Sequence, residues 1–307
     1  MASPSNNKIK AVIFDWDGTI MDYGCLAPVR SIQETFGRKG IEAGTDDARL
    51  FLNMMGKGHI RDALLSGRIA MLWKERFGRQ PCESDVSMLL AEYQEILTDN
   101  LASHTDPIPH SIEIFSELRE RKIRIGITSV YSSTMLEPLI HYAALVGLEP
   151  DVVVTPDQVP GGRPHPWMIF EAASRLGIYP LHSMMKVGDT RLDILEGLNA
   201  GVWTVGVVKG GGELGLARDE LEAMPGDLLE GKIASARRQL ADEGAHYVVT
   251  SLRHLPSIVD EVNFRMAIGD TPVGRRQGTL GAQPCVPGGS RSQAGIRLMR
   301  VTRVSNL

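Results

Sequence analysis

The 307-residue sequence contains only three cysteines, Cys25, Cys82 and Cys285, and they lie far apart. Three scattered cysteines are too few for a disulfide framework or a cysteine metal site. No segment approaches the ~20 consecutive apolar residues of a membrane span, and residues 1–7 contain no apolar signal segment. From these absences we expect a soluble protein in a reducing, cytoplasmic compartment that has no membrane partner.

Basic residues are not in excess, since 33 Lys and Arg stand against 37 Asp and Glu and the formal net charge is -4. Such a chain has no positive field to attract nucleic acid, so we expect no nucleic-acid partner. Two nucleotide-binding patterns are also missing. No GxGxxG follows the first apolar strand, and the glycines at 210–212 lack the GxxxxGK[ST] pattern, which favours a hinge loop there.

The sequence is 43% hydrophobic, enough for a sizeable core. Helical and short apolar segments alternate after residue 110, as in a doubly wound parallel sheet. Residues 27–101 instead carry helix-period segments. We therefore predict an α/β fold: a Rossmann-like core over residues 8–24 and 104–265, with a helical cap (25–103) inserted after the first strand. Residues 266–307 are rich in Gly, Pro, Ser, Gln and Arg, which predicts a disordered tail.

The chain is organised around residues 11–19, where four apolar residues lead into Asp15, Trp16, Asp17 and Gly18. A buried parallel strand that ends in two acids places them at the carboxyl edge of the sheet, where α/β proteins bind ligands. There, Asp15 can attack an electrophile and Asp17 can transfer a proton. The alternative is an acidic turn with no catalytic role, because Asp and Gly are common turn residues.

Further polar groups follow other predicted strands: Ser129, Arg163, and the pair Asp189 and Asp193. Each also has a purely structural interpretation. Ser129 could cap a helix, Arg163 could be a surface charge, and Asp189 and Asp193 could be acids that a helix dipole favours in the first turn. Their convergence on one sheet edge favours a shared site.

The chemistry of these groups suits phosphoryl transfer. Asp15, Asp189 and Asp193, with the backbone carbonyl of Asp17, would form an oxygen cluster suited to Mg²⁺. Ser129 and Arg163 would hold phosphoryl oxygens while Asp15 attacks phosphorus and forms an aspartyl-phosphate.

These motifs resemble those of the haloacid dehalogenase (HAD) superfamily: DWDGT, the serine after the second strand, the arginine of GGRPHPW, and GDTxxD. Within that superfamily the chain is similar to the phosphonoacetaldehyde hydrolases, or phosphonatases, from about Lys8 to Val262. The segments that carry this closer likeness are VIFDW, MDYGC, GRP-x-PWM, KVGDT, AGVWTVGVV, Glu213-Leu214-Gly215 and EGAH.

The resemblance implies a Rossmann-like core with a helical cap, Mg²⁺, a small phosphorylated or phosphonate substrate, and often a homodimer. It gives Asp15 the role of nucleophile, Ser129 and Arg163 that of phosphoryl holders, and Asp189 and Asp193 that of metal ligands, direct or through the second shell of the ion. The likeness also assigns Cys25, His59 and Tyr131 to the substrate pocket.

Two departures from the phosphonatase pattern bear on the reaction. Gly56 occupies the position of the lysine that forms a Schiff base with the substrate aldehyde; Lys57 lies one residue later, a rotation of ~100° on a helix. The first motif carries Asp17 at the position where the phosphonatase pattern, D-x-A-G-T, has alanine. An acid there would protonate an alkoxide leaving group, worth on the order of 10² to 10⁴ in rate.

We therefore expect a Mg²⁺-dependent phosphomonoester hydrolase. Two alternatives remain open. One is phosphonoacetaldehyde hydrolysis with Lys57 as the imine former. The other is a non-catalytic protein that binds a phosphorylated metabolite or a partner.

Overall fold

The computed structural model describes residues 7–52, 61, 64 and 67–272. Within these ranges the chain forms six strands and eleven α-helices. The strands are β1 (Ala11–Phe14), β2 (Arg124–Thr128), β3 (Val152–Val154), β4 (Met184–Gly188), β5 (Trp203–Val207) and β6 (Tyr247–Val249). The helices are α1 (Leu26–Gly37), α2 (Thr45–Leu52), α3 (Gly67–Phe77), α4 (Glu83–Ser103), α5 (Ser111–Glu120), α6 (Ser133–Leu145), α7 (Trp167–Leu176), α8 (Arg191–Ala200), α9 (Arg218–Ala223), α10 (Gly226–Asp242) and α11 (Leu255–Ala267).

All six strands lie in one parallel sheet, in the order β3-β2-β1-β4-β5-β6. The chain builds the sheet outward from β1 in one direction and then crosses to the other side of β1 to add β4. The strand order therefore reverses beside β1, and such a reversal opens a crevice at the carboxyl ends of the strands. The predicted doubly wound α/β fold is confirmed.

The apolar side chains of β1 alternate between the two faces of the sheet. Val12 and Phe14 belong to the larger hydrophobic cluster, which includes the α5 side chain Phe115. Ala11 and Ile13 belong to a second cluster. Burial on both faces explains why this strand is a continuous apolar run rather than an alternating one.

Between β1 and α5 the described residues form the four helices α1 to α4 and their connecting loops, as the periodicity predicts. Helices α1 to α4 share a hydrophobic cluster of their own, built around Val29, Ile32, Phe36, Trp73 and Leu89. The division of the chain at residues 25 and 103 into a cap and a core stays a prediction.

The chain leaves and re-enters the sheet domain at one place. Residues 20 and 21 lie beside residues 107 and 108: Met21 forms a β-bridge with Pro107, and the Ile108 amide donates to the Ile20 carbonyl at 2.9 Å. The loop that carries Asp17 is thus bonded to the segment that returns from the helices.

Two expectations about loops and termini need refinement. The final helix extends through Ala267, Met266 packs in the larger hydrophobic cluster, and Arg265 pairs with Asp270 at 2.7 Å, so ordered structure continues past the predicted boundary at residue 265. Residues 273–307 lie outside the described residues.

The glycine loop at 210–212 is half-buried or buried and packs against the sheet edge, which does not fit a mobile hinge. Among the described residues, no helix has the length and apolar character needed to span a bilayer.

Candidate active site

The strand register brings the predicted site together at the carboxyl edge of the sheet. Phe14 pairs with Ile127 on one side and with Val187 on the other. The next residue is Asp15, whose backbone amide donates to the Val187 carbonyl at 2.9 Å. Ser129 and Asp189 each lie two residues beyond those partners, so three strands deliver polar groups to one point.

The Asp15 side chain is buried, with one carboxylate oxygen bonded to protein. Oδ1 accepts the Trp16 amide at 2.6 Å and the Arg163 Nη2 at 2.7 Å. Oδ2 accepts no hydrogen bond from a described residue. Burial raises the pKa of Asp15, and the charge of Arg163 opposes that rise. The geometry leaves one oxygen available as a nucleophile.

Asp189 sits in a closely fitted pocket beneath the first loop. Thr19 Oγ1 donates to its Oδ1 and the Gly212 amide to its Oδ2, both at 2.7 Å, and Cys25 Sγ lies 3.6 Å from Oδ2. Burial raises the pKa of Asp189 well above its ordinary value, and the charges of Asp15 and Asp193 raise it further. Within the described part of the chain, no lysine or arginine forms an ion pair with this carboxylate.

Two glycines make room for Asp189. Gly18 has φ +68, and a Cβ there would lie 2.5 Å from Asp189 Oδ2. A Cβ at Gly211 would lie 2.6 Å from Asp189 Cβ. Only glycine allows both approaches, so Gly18 and the 210–212 loop shape the acidic pocket.

Asp193 lies in the first turn of α8, where it forms a capping box with Thr190. Its Oδ2 accepts the Thr190 hydroxyl at 2.6 Å, and its Oδ1 lies 2.9 Å from Arg163 Nη1 and 3.0 Å from Lys186 Nζ. Burial alone would raise the pKa of Asp193, but Arg163 and Lys186 outweigh it and lower that pKa. Asp193 is therefore held ionised.

Arg163 is buried and reaches the site from the turn before α7. Besides Asp15 and Asp193, its guanidinium contacts Glu196 Oε2 through Nε at 3.1 Å and the Thr128 carbonyl through Nη2 at 2.8 Å. Each nitrogen of the guanidinium thus has an oxygen partner. The cation is fixed beside Asp15, as the sequence predicts.

The three aspartates suit a hard divalent cation. One ligand oxygen each from Asp15, Asp189 and Asp193 can be chosen so that all lie within 4.8 Å of one another, and all three residues are buried. With Glu196 they make four carboxylates against the two cations Arg163 and Lys186. If all four carboxylates are ionised, two of their negative charges are not balanced by Arg163 and Lys186. One Mg²⁺, an ion that prefers oxygen ligands, would balance them. The donor set fits Mg²⁺.

Asp17 has a different environment. The Tyr131 hydroxyl donates to its Oδ2, while its buried Oδ1 has no hydrogen-bond partner among the described residues. Burial raises the pKa of Asp17 well above its usual range; Asp22 raises it further, whereas the Tyr131 hydrogen bond acts in the opposite direction. The direction of this pKa shift favours the protonated form, which a general acid requires.

Most of the predicted site residues converge, whereas two of them, Lys57 and His59, lie outside the described residues together with Gly56. Ser129 is buried, and its Oγ accepts the Tyr131 amide at 3.2 Å. Cys25 and Tyr131 lie beside Asp189 and Asp17, respectively.

Sequence reasoning missed Lys186 and Glu196, which are 0% exposed. A signal was present: Lys186 interrupts the apolar strand Met184–Gly188, and Glu196 lies three residues after Asp193, on the same face of a helix. A lysine in a strand buried on both faces needs anionic partners.

Comparison with known proteins agrees with this geometry. Residues 12–207 match the family model described as haloacid dehalogenase-like hydrolase. The phosphonoacetaldehyde hydrolase of Bacillus cereus is 42% identical over 255 residues, which cover 83% of this chain and 97% of that protein. A crystal structure of a phosphonoacetaldehyde hydrolase-like protein from Oleispira antarctica is 36% identical with a TM-score of 0.80, covering 86% and 96% of the two chains.

A more distant structure supports the fold alone. The crystal structure of a hydrolase from Pseudomonas syringae superimposes with a TM-score of 0.57 at 19% identity, covering 82% of this chain and 98% of the other. The predicted resemblance is confirmed: this chain belongs to the haloacid dehalogenase-like hydrolase family and is a hydrolase whose sequence is close to the phosphonoacetaldehyde hydrolases.

Proposed function

We propose that this enzyme hydrolyses a small phosphomonoester through an aspartyl-phosphate on Asp15. The observation that carries the proposal is Asp17, a buried carboxyl two residues after the nucleophile with one oxygen, Oδ1, unbonded among the described residues. An oxygen leaving group needs a proton as its bond to phosphorus breaks, and Asp17 is the acid in position to supply it.

In the first step Asp15 Oδ2 forms a bond to phosphorus and the bond from phosphorus to the leaving oxygen breaks. The proton of Asp17 goes to that oxygen, so the product leaves as a neutral alcohol. Arg163 and Ser129 hold phosphoryl oxygens during the transfer.

In the second step Asp17, now ionised, accepts a proton from water as the water oxygen attacks phosphorus. The bond between phosphorus and Asp15 breaks, which releases inorganic phosphate and restores both carboxyl groups. One residue thus serves as acid and then as base.

Asp15, Asp189 and the Asp17 carbonyl, with Asp193 directly or through water, would hold Mg²⁺. The bound ion supplies positive charge that reduces the repulsion between an anionic nucleophile and an anionic phosphate. Thr19, Gly212 and Thr190 orient the carboxylates for that role.

The second candidate is phosphonoacetaldehyde hydrolysis, which the 42% identity to the Bacillus cereus enzyme favours. In that reaction Lys57 would form the imine with the substrate aldehyde, and the carbon leaving group would need no acid at Asp17. A non-catalytic binding role is less well supported, because Asp15, Asp189 and Asp193 form one cluster that Arg163 contacts, so no member of the charged set is missing.

A substrate comparison separates the two reactions. The purified protein is assayed with phosphonoacetaldehyde and with a panel of small phosphate esters, alongside the variants Asp17→Ala and Lys57→Ala. We expect ester turnover that Asp17→Ala reduces and Lys57→Ala leaves nearly unchanged. Cleavage of phosphonoacetaldehyde that survives Asp17→Ala but not Lys57→Ala, or a borohydride-trapped adduct on Lys57, would overturn the proposal.

Metal removal provides an independent prediction. Chelation should abolish turnover, and Mg²⁺ at about a hundredfold over its Kd should stabilise the fold by ~2.7 kcal/mol in thermal or denaturant unfolding. Asp189→Asn should shrink that stabilisation because it removes one anionic ligand. The metal-free variant should also be more stable than the metal-free wild type, since one of the facing carboxylates is gone. Equal stabilisation of both proteins by Mg²⁺ would contradict the assignment of Asp189.

A further inference from the structure

A pair of buried charges contacts Arg163 and its carboxylate partners. It consists of Lys186 from β4 and Glu196 from α8, both 0% exposed. Lys186 Nζ lies 3.2 Å from Glu196 Oε2 and donates to Thr128 Oγ1 at 2.7 Å. No step of the proposed reaction uses either residue.

Stability alone does not account for this pair. Burying a lysine and a glutamate requires both to give up hydration, and well-packed apolar residues in place of such a pair are often as stable or more stable. The surrounding strand residues of β4 are apolar, so an apolar side chain at position 186 would suit the core. The pair therefore calls for a role other than packing.

The contacts of Arg163 indicate that role. Its Nε lies 3.1 Å from Glu196 Oε2, and its Nη1 lies 2.9 Å from Asp193 Oδ1. Lys186 contacts the same two oxygens, at 3.2 and 3.0 Å. Each of these carboxylate oxygens is thus shared between Arg163 and Lys186.

The shared contacts have two consequences. Glu196 fixes the plane of the guanidinium through Nε, so that Nη2 points to Asp15 at 2.7 Å. Lys186 neutralises part of the negative charge of Asp193 and Glu196, so these two carboxylates attract Arg163 less strongly. The guanidinium keeps its attraction for groups on the Asp15 side, where the phosphoryl oxygens would lie.

We propose that Lys186 and Glu196 are positioning residues that orient Arg163 for phosphoryl transfer without touching the substrate. The inference rests on the proposed function only in that Arg163 holds the phosphoryl group. That role is common to ester and phosphonate cleavage.

The test is a double-mutant cycle on kcat/KM with p-nitrophenyl phosphate. Glu196→Gln keeps the shape and removes the charge, and we expect a loss of about 10²-fold, as for other small misplacements of a catalytic group. Most of the loss should be in kcat, because a misaligned guanidinium still attracts a phosphate dianion in the ground state.

In an Arg163→Met background, Glu196→Gln should have little further effect, because its action requires Arg163. Glu171→Gln on the exposed face of α7 is the matched control, and its kcat/KM should equal that of the wild type. Additive losses in the cycle, or a kcat/KM for Glu196→Gln within threefold of wild type, would overturn the proposal.

A charge-balanced variant keeps the test decisive if a single variant does not fold. Lys186→Met/Glu196→Gln removes one cation and one anion together, and we expect a folded protein by circular dichroism with kcat/KM reduced as in Glu196→Gln. Wild-type kcat/KM in that folded variant would overturn the positioning role. If the protein turns over phosphonoacetaldehyde instead of p-nitrophenyl phosphate, the proposed function fails, and the same cycle with phosphonoacetaldehyde still tests the positioning role.

Discussion

Asp15→Asn is expected to abolish turnover, with kcat/KM lower by on the order of 10⁶-fold, the scale seen when a covalent nucleophile is removed. The reason is that an amide oxygen cannot form the acyl phosphate, although asparagine fills nearly the same space. Arg163 loses the negative charge of its partner at 2.7 Å, although the amide oxygen can still accept its hydrogen bond, and it retains Asp193, Glu196 and the Thr128 carbonyl. The fold should therefore survive the substitution.

Steady-state assays and mass spectrometry of acid-quenched samples check this expectation. Wild type mixed with substrate should carry a phosphoryl adduct on Asp15, and Asp15→Asn should carry none. Asp219→Asn, an exposed change of the same kind on α9, is the control for handling and folding. Turnover by Asp15→Asn within tenfold of wild type would rule out Asp15 as the nucleophile.

Asp17→Asn should have the second largest effect, and the size should depend on the leaving group. For alkyl phosphates we expect kcat/KM to fall by about 10² to 10⁴, because the alkoxide then leaves without a proton. For p-nitrophenyl phosphate the first step should change little, since nitrophenolate needs no acid. Hydrolysis of the aspartyl-phosphate should still be slow, because the variant also lacks the base.

Stopped-flow measurement of nitrophenolate release checks the second prediction. Asp17→Asn should show a burst of about one product per active site followed by a slow steady state, with the phosphoryl adduct accumulating on Asp15. The same loss of rate for both ester classes with no burst would contradict an acid–base role. Tyr131→Phe, which removes the hydroxyl bonded to Asp17 Oδ2, should share the leaving-group dependence in weaker form.

The sheet and its polar edge could be predicted because their signals are local. Ala11–Phe14 is apolar throughout because the strand is covered on both faces, and the acids follow where that cover ends. Parallel strands have their carboxyl ends at one edge, so Ser129 and Asp189 had to approach Asp15 once the strands were assigned. The number of residues that separate Ser129 and Asp189 from Asp15 in the sequence plays no part in this prediction.

Other features depend on contacts that no local pattern encodes. The position of Glu196 three residues after Asp193 indicates a shared helix face, but its partners are identified only when α8 places it 3.2 Å from Lys186 and 3.1 Å from Arg163. The 210–212 loop has the composition of a hinge, yet its Gly212 amide bonds Asp189, 23 residues away along the chain. Glycine served there for close approach rather than for mobility, and composition does not distinguish the two.

The hydrogen bond between Ile108 and Ile20 has a consequence for how such a chain can diversify. The helical segment leaves and rejoins the sheet at neighbouring positions. The two ends are bonded to each other directly, so their pairing does not depend on the residues inserted between them. Doubling the length of a flexible insert adds only ~0.6 kcal/mol of closure cost. A different helical module could be grafted between residues 21 and 107 while the sheet register, Asp15 and Asp189 stay in place. We therefore expect that the helical segment can be exchanged without altering the residues proposed to carry out phosphoryl transfer.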